Sequence, residues 1–252
     1  MKFEVARRVR DKLYGSIDLS PLEDKVVSHP YFQRLRRVKQ TAFLSFAFPG
    51  AQHTRFEHSL GTMHLAGRAW RKILANQRRF QRKLSFDGPE IDQQGYFNFD
   101  VVPLEKDEYC YQALRLAALM HDLGHPALSH NGEIFLPHAL KFLKEAEEIP
   151  VYLKKYLEER LKKKSDFHLR HEIFSVYILD SVLKEVGSSI DPQDIAALLI
   201  SDIPFVAGSP IVKFGLSQVM CELISSDLDV DRMDYLMRDS KECGVVYGIF
   251  DA

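Results

Sequence analysis

A mostly α-helical fold is predicted for this 252-residue chain by three features of its sequence. Apolar residues recur at helical spacing through several long segments. Residues that start or stop helices punctuate those segments. Strand-like alternation is confined to two short stretches. With 46% hydrophobic residues, the chain can enclose a real core as one large helical domain or two small ones.

Residues 12–20 alternate around Gly15 and predict a short hairpin or extended arm. A helix is expected to start near Ser28, with Pro30 in its first turn, and to run through Phe32, Leu35 and Val38. Phe48-Pro49-Gly50 breaks the chain, and the next helix carries His58, Leu60, Met63, Leu65 and Ala66. Residues 80–107 change character. Asp87-Gly88-Pro89 reads as a turn, and Phe97, Phe99 and Val101 alternate with Asn98 and Asp100, so a small inserted β-hairpin is expected. Residues 109–122 are nearly all apolar and predict a central helix. Residues 133–164 read as one or two polar helices broken near Pro150, with Lys154-Lys155 and Lys162-Lys163-Lys164 as a solvated face. Core helices are expected over 171–186 and 192–200. After the loop 202–215, with Pro204, Gly208, Pro210 and Gly215, one last long helix is expected over about 216–240.

The formal net charge of −1 gives no basic excess, so nucleic-acid binding is not indicated. Cys110, Cys221 and Cys243 are odd in number and lack CxxC spacing. They argue against a disulfide framework or zinc knuckle and fit a cytoplasmic location. The N-terminus turns charged at once, and no apolar run reaches the ~18 residues of a membrane span.

Chemistry concentrates where the apolar run Leu116–Met120 meets His121-Asp122, with Gly124 allowing close approach of another segment. A carboxylate directly after such a run is costly to bury without a cation or a firm hydrogen-bond set. Two imidazoles and two carboxylates, from His58, His121, Asp122 and Asp231, suit a divalent transition ion. Neighbouring helical residues face about 100° apart, so His121 and Asp122 converge only at a helix end, which Gly124 suggests. Taken alone, His58 and His121 read equally well as hydrogen-bonded structural histidines. Asp231 is weak by itself, because Asp227, Asp229, Asp234 and Asp239 lie nearby.

The runs Phe48–Gly61, His121–His130 and Asp229–Asp239, with Phe32–Gln40 upstream, resemble the motif regions of a known family. It is the deoxynucleoside triphosphate triphosphohydrolase branch of the HD-domain superfamily of metal phosphohydrolases. That branch includes bacterial dGTP triphosphohydrolases and the vertebrate dNTPase that joins SAM and HD domains. The matches span about residues 10–245. The resemblance implies a single HD-type helical domain over residues 1–252. It implies an ion held by His58, His121, Asp122 and Asp231. The implied reaction is hydrolysis of a nucleotide at the α-phosphate, giving nucleoside and triphosphate. The mixed nitrogen and oxygen donors leave the metal open among Mn, Fe, Zn, Ni, Co and Mg.

His125 and His130 match the family's catalytic histidines. His125 is assigned as general acid and His130 as a second phosphate-side group; capping of the loop after the central helix is the other reading. Arg55 shares a helical face with His58 and reads either as a phosphate contact or as a structural ion pair; Arg232 is a similar phosphate candidate. Tyr235, Asp239 and Gln40 match sugar-side positions, the tyrosine by packing and the aspartate by hydrogen bonds to the 3′-hydroxyl; ordinary core or surface is the other reading of each. His171-Glu172 resembles a His-Glu pair near the phosphates. His29, His53, His64, His138 and His168 are read as structural or exposed. Relatives continue past the third motif, so the C-terminal part of the family fold is expected to be absent. A homo-oligomer, dimeric or higher, is expected from the resemblance. Two other readings keep the motifs: an HD phosphohydrolase acting on another nucleotide or phosphoester, and a nucleotide-responsive regulatory module without catalysis.

Overall fold

The chain opens on the expected hairpin. β1 (Arg7–Asp11) pairs antiparallel with β2 (Gly15–Leu19), with Arg7 opposite Leu19 and Asp11 opposite Gly15. The Asp11 carboxylate accepts the backbone N–H groups of Leu13 and Tyr14, and Gly15 takes the left-handed conformation that closes the turn. Ile17 and Leu19 alternate inward and are buried. The computed structural model describes residues 4–87 and 104–248.

Helix α1 (Pro21–Ser28) follows directly and was not anticipated. Its start is a capping box: Ser20 Oγ accepts the Glu23 N–H, and the Glu23 carboxylate accepts the Ser20 N–H. Glu23 also receives the buried Arg115 guanidinium, which ties this end of the chain to the central helix. The helix expected to run from Ser28 through Val38 is replaced by α2 (Pro30–Gln33) and a 3-10 turn at Arg34–Arg37. Phe32 and Leu35 lie three apart, the period of a 3-10 helix, and both are buried. Val38 is extended, and Lys39 bridges Thr54.

Two long helices form the centre: α3 (Arg55–Asp87) and α4 (Leu104–Met120). Phe56, Leu60, Met63 and Trp70 of α3 share one buried cluster with Ala113, Leu114, Ala117 and Met120 of α4. The flanks of the expected β insert belong to these helices: residues 80–87 extend α3 and 104–107 open α4. Arg, Gln, Lys and Leu in those flanks are strong helix formers. The expected strand around Phe97–Val101 lies outside the described residues.

Around this pair stand α5 (Ala139–Glu145), α6 (Val151–Lys163), α7 (His171–Glu185), α8 (Pro192–Leu199), the single turn α9 (Pro210–Lys213), α10 (Ser217–Ile224) and α11 (Val230–Cys243). The expected last long helix is therefore two. Ser225-Ser226-Asp227 favours a turn, and Asp229 caps α11 by accepting the Arg232 N–H at 2.8 Å. That break sets Asp231 in the first turn of α11, which packs against α3. The architecture is mostly α-helical, as expected. No helix among the described residues is long and apolar enough to cross a membrane.

Candidate metal centre

Three helix ends meet here. The Glu57 carboxylate accepts the Thr54 N–H at 2.6 Å and fixes the start of α3, so His58 lies in its first turn. α4 stops at Met120, and His121–Gly124 form a turn. Arg34 satisfies carbonyls left open there, donating to Leu123 at 2.5 Å and His125 at 2.7 Å. A Cβ on Gly124 would overlap the backbone of α7 at His171 and Ser175, so only glycine allows this approach. Ser175 locks it, accepting the Gly124 N–H and donating to the His121 carbonyl.

The four expected ligands converge. His58 Nε2 lies 2.8 Å from Asp231 Oδ1 and 3.7 Å from Asp122 Oδ2. His121 Nε2 lies 3.3 Å from Asp122 Oδ1 and 3.6 Å from Asp231 Oδ1. The two imidazoles meet edge to face, 5.2 Å between centroids. Each ring has its other nitrogen engaged: His58 Nδ1 donates to Asp234 at 2.8 Å, and His121 Nδ1 donates to the Ala118 carbonyl at 2.8 Å. Both Nε2 atoms are buried and find no hydrogen-bond partner among the described residues. Two imidazole lone pairs aimed at two carboxylates repel unless a positive charge sits between them. With both rings oriented through Nδ1, the donor set fits a divalent cation.

The electrostatics show the same demand for positive charge between these groups. Burial lowers the His58 pKa, but Asp231 and Asp234 outweigh it and push it up to about 10. Burial likewise lowers His121, and Asp122 and Asp231 raise it overall. Burial raises both carboxyls of the centre, yet each ends below the usual range. Arg55 and His121 hold Asp122 down, and His121 and His58 hold Asp231 down. Arg55 takes the ion-pair reading: its Nη1 donates to Asp122 Oδ2 at 2.6 Å and its Nε to Ser129 Oγ at 3.0 Å. Ser129 in turn donates to the Lys39 carbonyl at 2.6 Å. Leu128 and Ser129 both adopt positive φ, +72° and +51°, a strained pair in the loop that carries His125 and His130.

A second cluster adjoins the first. His125 is fully buried, with Nε2 3.4 Å from Asp122 Oδ1. Its ring stacks on His171 at 3.7 Å and 18°, while His130 stands edge-on to both. Glu133 joins them, bonded to His171 Nδ1 and 3.3 Å from His130 Nδ1. A ligand lone pair lies in the ring plane, so two near-parallel imidazoles 3.7 Å apart cannot both point at one ion. This cluster is therefore a hydrogen-bonded group of side chains beside the candidate metal centre. Burial, with Arg55 and His171, outweighs Asp122 and pushes His125 down to about 3.

The remaining expected residues divide. Asp239 hydrogen-bonds His53 Nε2 at 2.7 Å, so His53 is the buried partner of a sugar-side candidate. Gln40 has a buried Oε1 without a hydrogen bond among the described residues. Tyr235 is half-buried one turn beyond Asp231. Arg232 is exposed and donates to the Asp227 carbonyl at 3.1 Å, turned toward its own loop. Glu172 follows His171 with a carboxylate 3.5 Å from its Nδ1. Asp234 and Glu133 were not picked out from sequence. Each lies three residues after a singled-out residue, Asp231 and His130, at a spacing that shares a helical face.

No protein-family model matches the chain. It is 29% identical to the deoxynucleoside triphosphate triphosphohydrolase SAMHD1 of Gallus gallus, over 96% of this chain and 35% of that protein. It is 30% identical to the Bos taurus protein of the same name, over 94% of this chain and 36% of that one. The chain thus spans about a third of the length of these relatives. Among solved structures, a phosphohydrolase from Bacteroides thetaiotaomicron superposes with a TM-score of 0.57 and 25% identity, over 94% of this chain and 42% of that one. Over nearly its whole length, the chain is similar to a part of the SAMHD1 deoxynucleoside triphosphate triphosphohydrolases, and it shares its fold with a phosphohydrolase of known structure.

Proposed function

We propose that the chain is a metal-dependent phosphohydrolase that cleaves deoxynucleoside triphosphates into deoxynucleoside and intact triphosphate. The observation that carries this reading is the meeting of four ligand-type side chains from three helix ends, with two buried Nε2 atoms that find no hydrogen-bond partner among the described residues. The relatives supply the substrate class.

His58, His121, Asp122 and Asp231 would hold the ion. When bound, it neutralises developing charge on phosphoryl oxygens and lowers the pKa of an attacking water. The chain's own groups do the rest. Arg55 holds Asp122 ionised and oriented. His125 is buried, finds no hydrogen-bond partner for either ring nitrogen among the described residues and is neutral near pH 7, which suits binding a phosphate oxygen. His130 has a side chain 66% exposed and backed by Glu133, which suits carrying a proton to the leaving 5′-oxygen. The geometry therefore favours exchanging the two roles expected from sequence. Gln40, Tyr235 and Asp239 would face the sugar, with His53 orienting Asp239.

Product analysis tests the reading. Each dNTP is incubated with the protein and Mn²⁺ or Mg²⁺, beside an Asp122→Ala control. Nucleoside and intact triphosphate are expected, absent from the control. Release of monophosphate or of single orthophosphates would overturn the assignment of the cleaved bond. The homo-oligomer implied by the resemblance is checked by light scattering with and without dNTP.

A further inference from the structure

Behind the metal centre lies a polar network that the reaction does not use directly. Asp234 is fully buried and accepts four hydrogen bonds. His58 Nδ1 and Arg238 Nε each donate to Oδ2 at 2.8 Å. Arg238 Nη2 donates to Oδ1 at 2.9 Å, and the Tyr14 hydroxyl donates to Oδ1 at 2.8 Å. Arg238 Nη1 then donates to Asp11 Oδ2 at 2.9 Å, with both of those side chains buried. A Cβ at Gly61 would overlap Asp234 and Arg238, so the glycine opens the space they occupy. Tyr14 is fixed by stacking on His64, centroids 5.0 Å apart.

From this geometry we infer that Asp234 is the positioning residue for the ligand His58, and that the N-terminal hairpin, through Tyr14 and Asp11, holds Asp234 in place; the inference rests on the metal-centre reading above. A carboxylate that accepts Nδ1–H fixes the imidazole tautomer, turns the ring and raises the basicity of Nε2. Left alone, a buried carboxylate would be free to tilt and to drag His58 with it. The Arg238 fork and the Tyr14 hydroxyl use its remaining lone pairs, so all its bonds point in fixed directions. Asp11 neutralises Arg238 and at the same time closes the hairpin turn through Leu13 and Tyr14. The hairpin turn and the orientation of His58 are thus set by one connected set of hydrogen bonds.

The test measures Mn²⁺ and Zn²⁺ affinity of the full chain by chelator competition, with circular dichroism to verify folding. Asp234→Asn is expected to bind roughly ten- to a hundred-fold more weakly, the usual loss for an outer partner of a ligating histidine. Tyr14→Phe and Asp11→Asn are milder and are expected to weaken binding by several-fold. Ile17→Val, on the same hairpin but outside the network, serves as the control for general loosening and is expected to bind as wild type. In the Zn²⁺-loaded wild type, ¹⁵N-labelled His58 is expected to show a slowly exchanging Nδ1–H that the Asp234→Asn protein lacks. Unchanged affinity in folded Tyr14→Phe and Asp11→Asn would overturn the hairpin's part. Unchanged affinity and an unchanged Nδ1–H in Asp234→Asn would overturn the role of Asp234. If Asp234→Asn does not fold, the two milder variants decide. A wild type that binds neither metal would instead remove the metal-centre reading, and this inference with it.

Discussion

Arg55 and Asp122 form an ion pair with Nη1 2.6 Å from Oδ2 and side chains only 5% and 2% exposed. A buried pair contributes little net stability when intact, but removing one partner strands a charge at a cost of roughly 3–5 kcal/mol. Arg55→Met is therefore expected to lose about that much in urea unfolding with chelator present, and clearly less with saturating Mn²⁺, because a cation at Asp122 would compensate the same charge. Equal losses in both conditions would mean that no cation reaches Asp122.

Metal binding should appear as stability. A ligand at about 100 times its Kd that binds only the folded state adds roughly 2.7 kcal/mol. Wild type is expected to gain that amount with Mn²⁺ or Zn²⁺, and His121→Ala to gain nothing measurable. Calorimetric melting with and without metal distinguishes the two, and an equal gain in the variant would remove His121 from the ligand set.

Glu133 belongs to the second cluster and touches no expected ligand of the first. Glu133→Gln is expected to keep its metal content while turnover falls by about ten-fold, less than the roughly hundred-fold low end for losing the acid–base group itself, because Glu133 acts through His130 and His171. Elemental analysis beside product chromatography provides both readings. Full turnover in the variant would reduce the Glu133 contacts to His171 and His130 to packing.

His64, which stacks on Tyr14 behind the candidate metal centre, gives a pH signature of its own. Burial, helped by Arg115, Arg68 and Arg71, lowers its pKa to about 4. The unfolded chain binds this proton near pH 6.5 and the folded chain near 4, so between those values the unfolded state carries more protons. Stability from this group is complete above about pH 6.5 and is lost as the pH falls toward 4. Urea titrations across that window are expected to show a shallower slope for His64→Gln than for wild type. Parallel slopes would contradict the shift.

The parts of the fold visible in the sequence were those with a strong local signal. The Leu116–Met120 run marked a central helix, and Gly124 marked its end, because burial and chain reversal each demand particular residues. The hairpin around Gly15 was visible for the same reason. The capping box that starts α1 was present as Ser20-Pro21-Leu22-Glu23, yet its helix is short and its neighbours dominated the pattern. The break between α10 and α11 was hidden by apolar spacing that continues on both sides of Ser225–Asp229. Within the site, an ordered motif could pick out Asp231 from the acids around it. The partners that orient the ligands could not be separated that way. Asp234 is one of several aspartates along the sequence, and Tyr14 and Asp11 approach it from 220 and more residues away. Only the folded chain puts the turn of a hairpin behind a histidine of α3.

The meeting of α3, the α4 terminus and α11 at one polar centre also bears on how the molecule opens. If those helices exchanged their amide hydrogens through separate local fluctuations, each would need to leave the centre alone, stranding buried charges on the other two. That penalty couples them, so their slowest amides should exchange together as one unit. Metal should slow that shared opening by the same factor in all three helices, leaving α5 and α6, outside the centre, at their former rates.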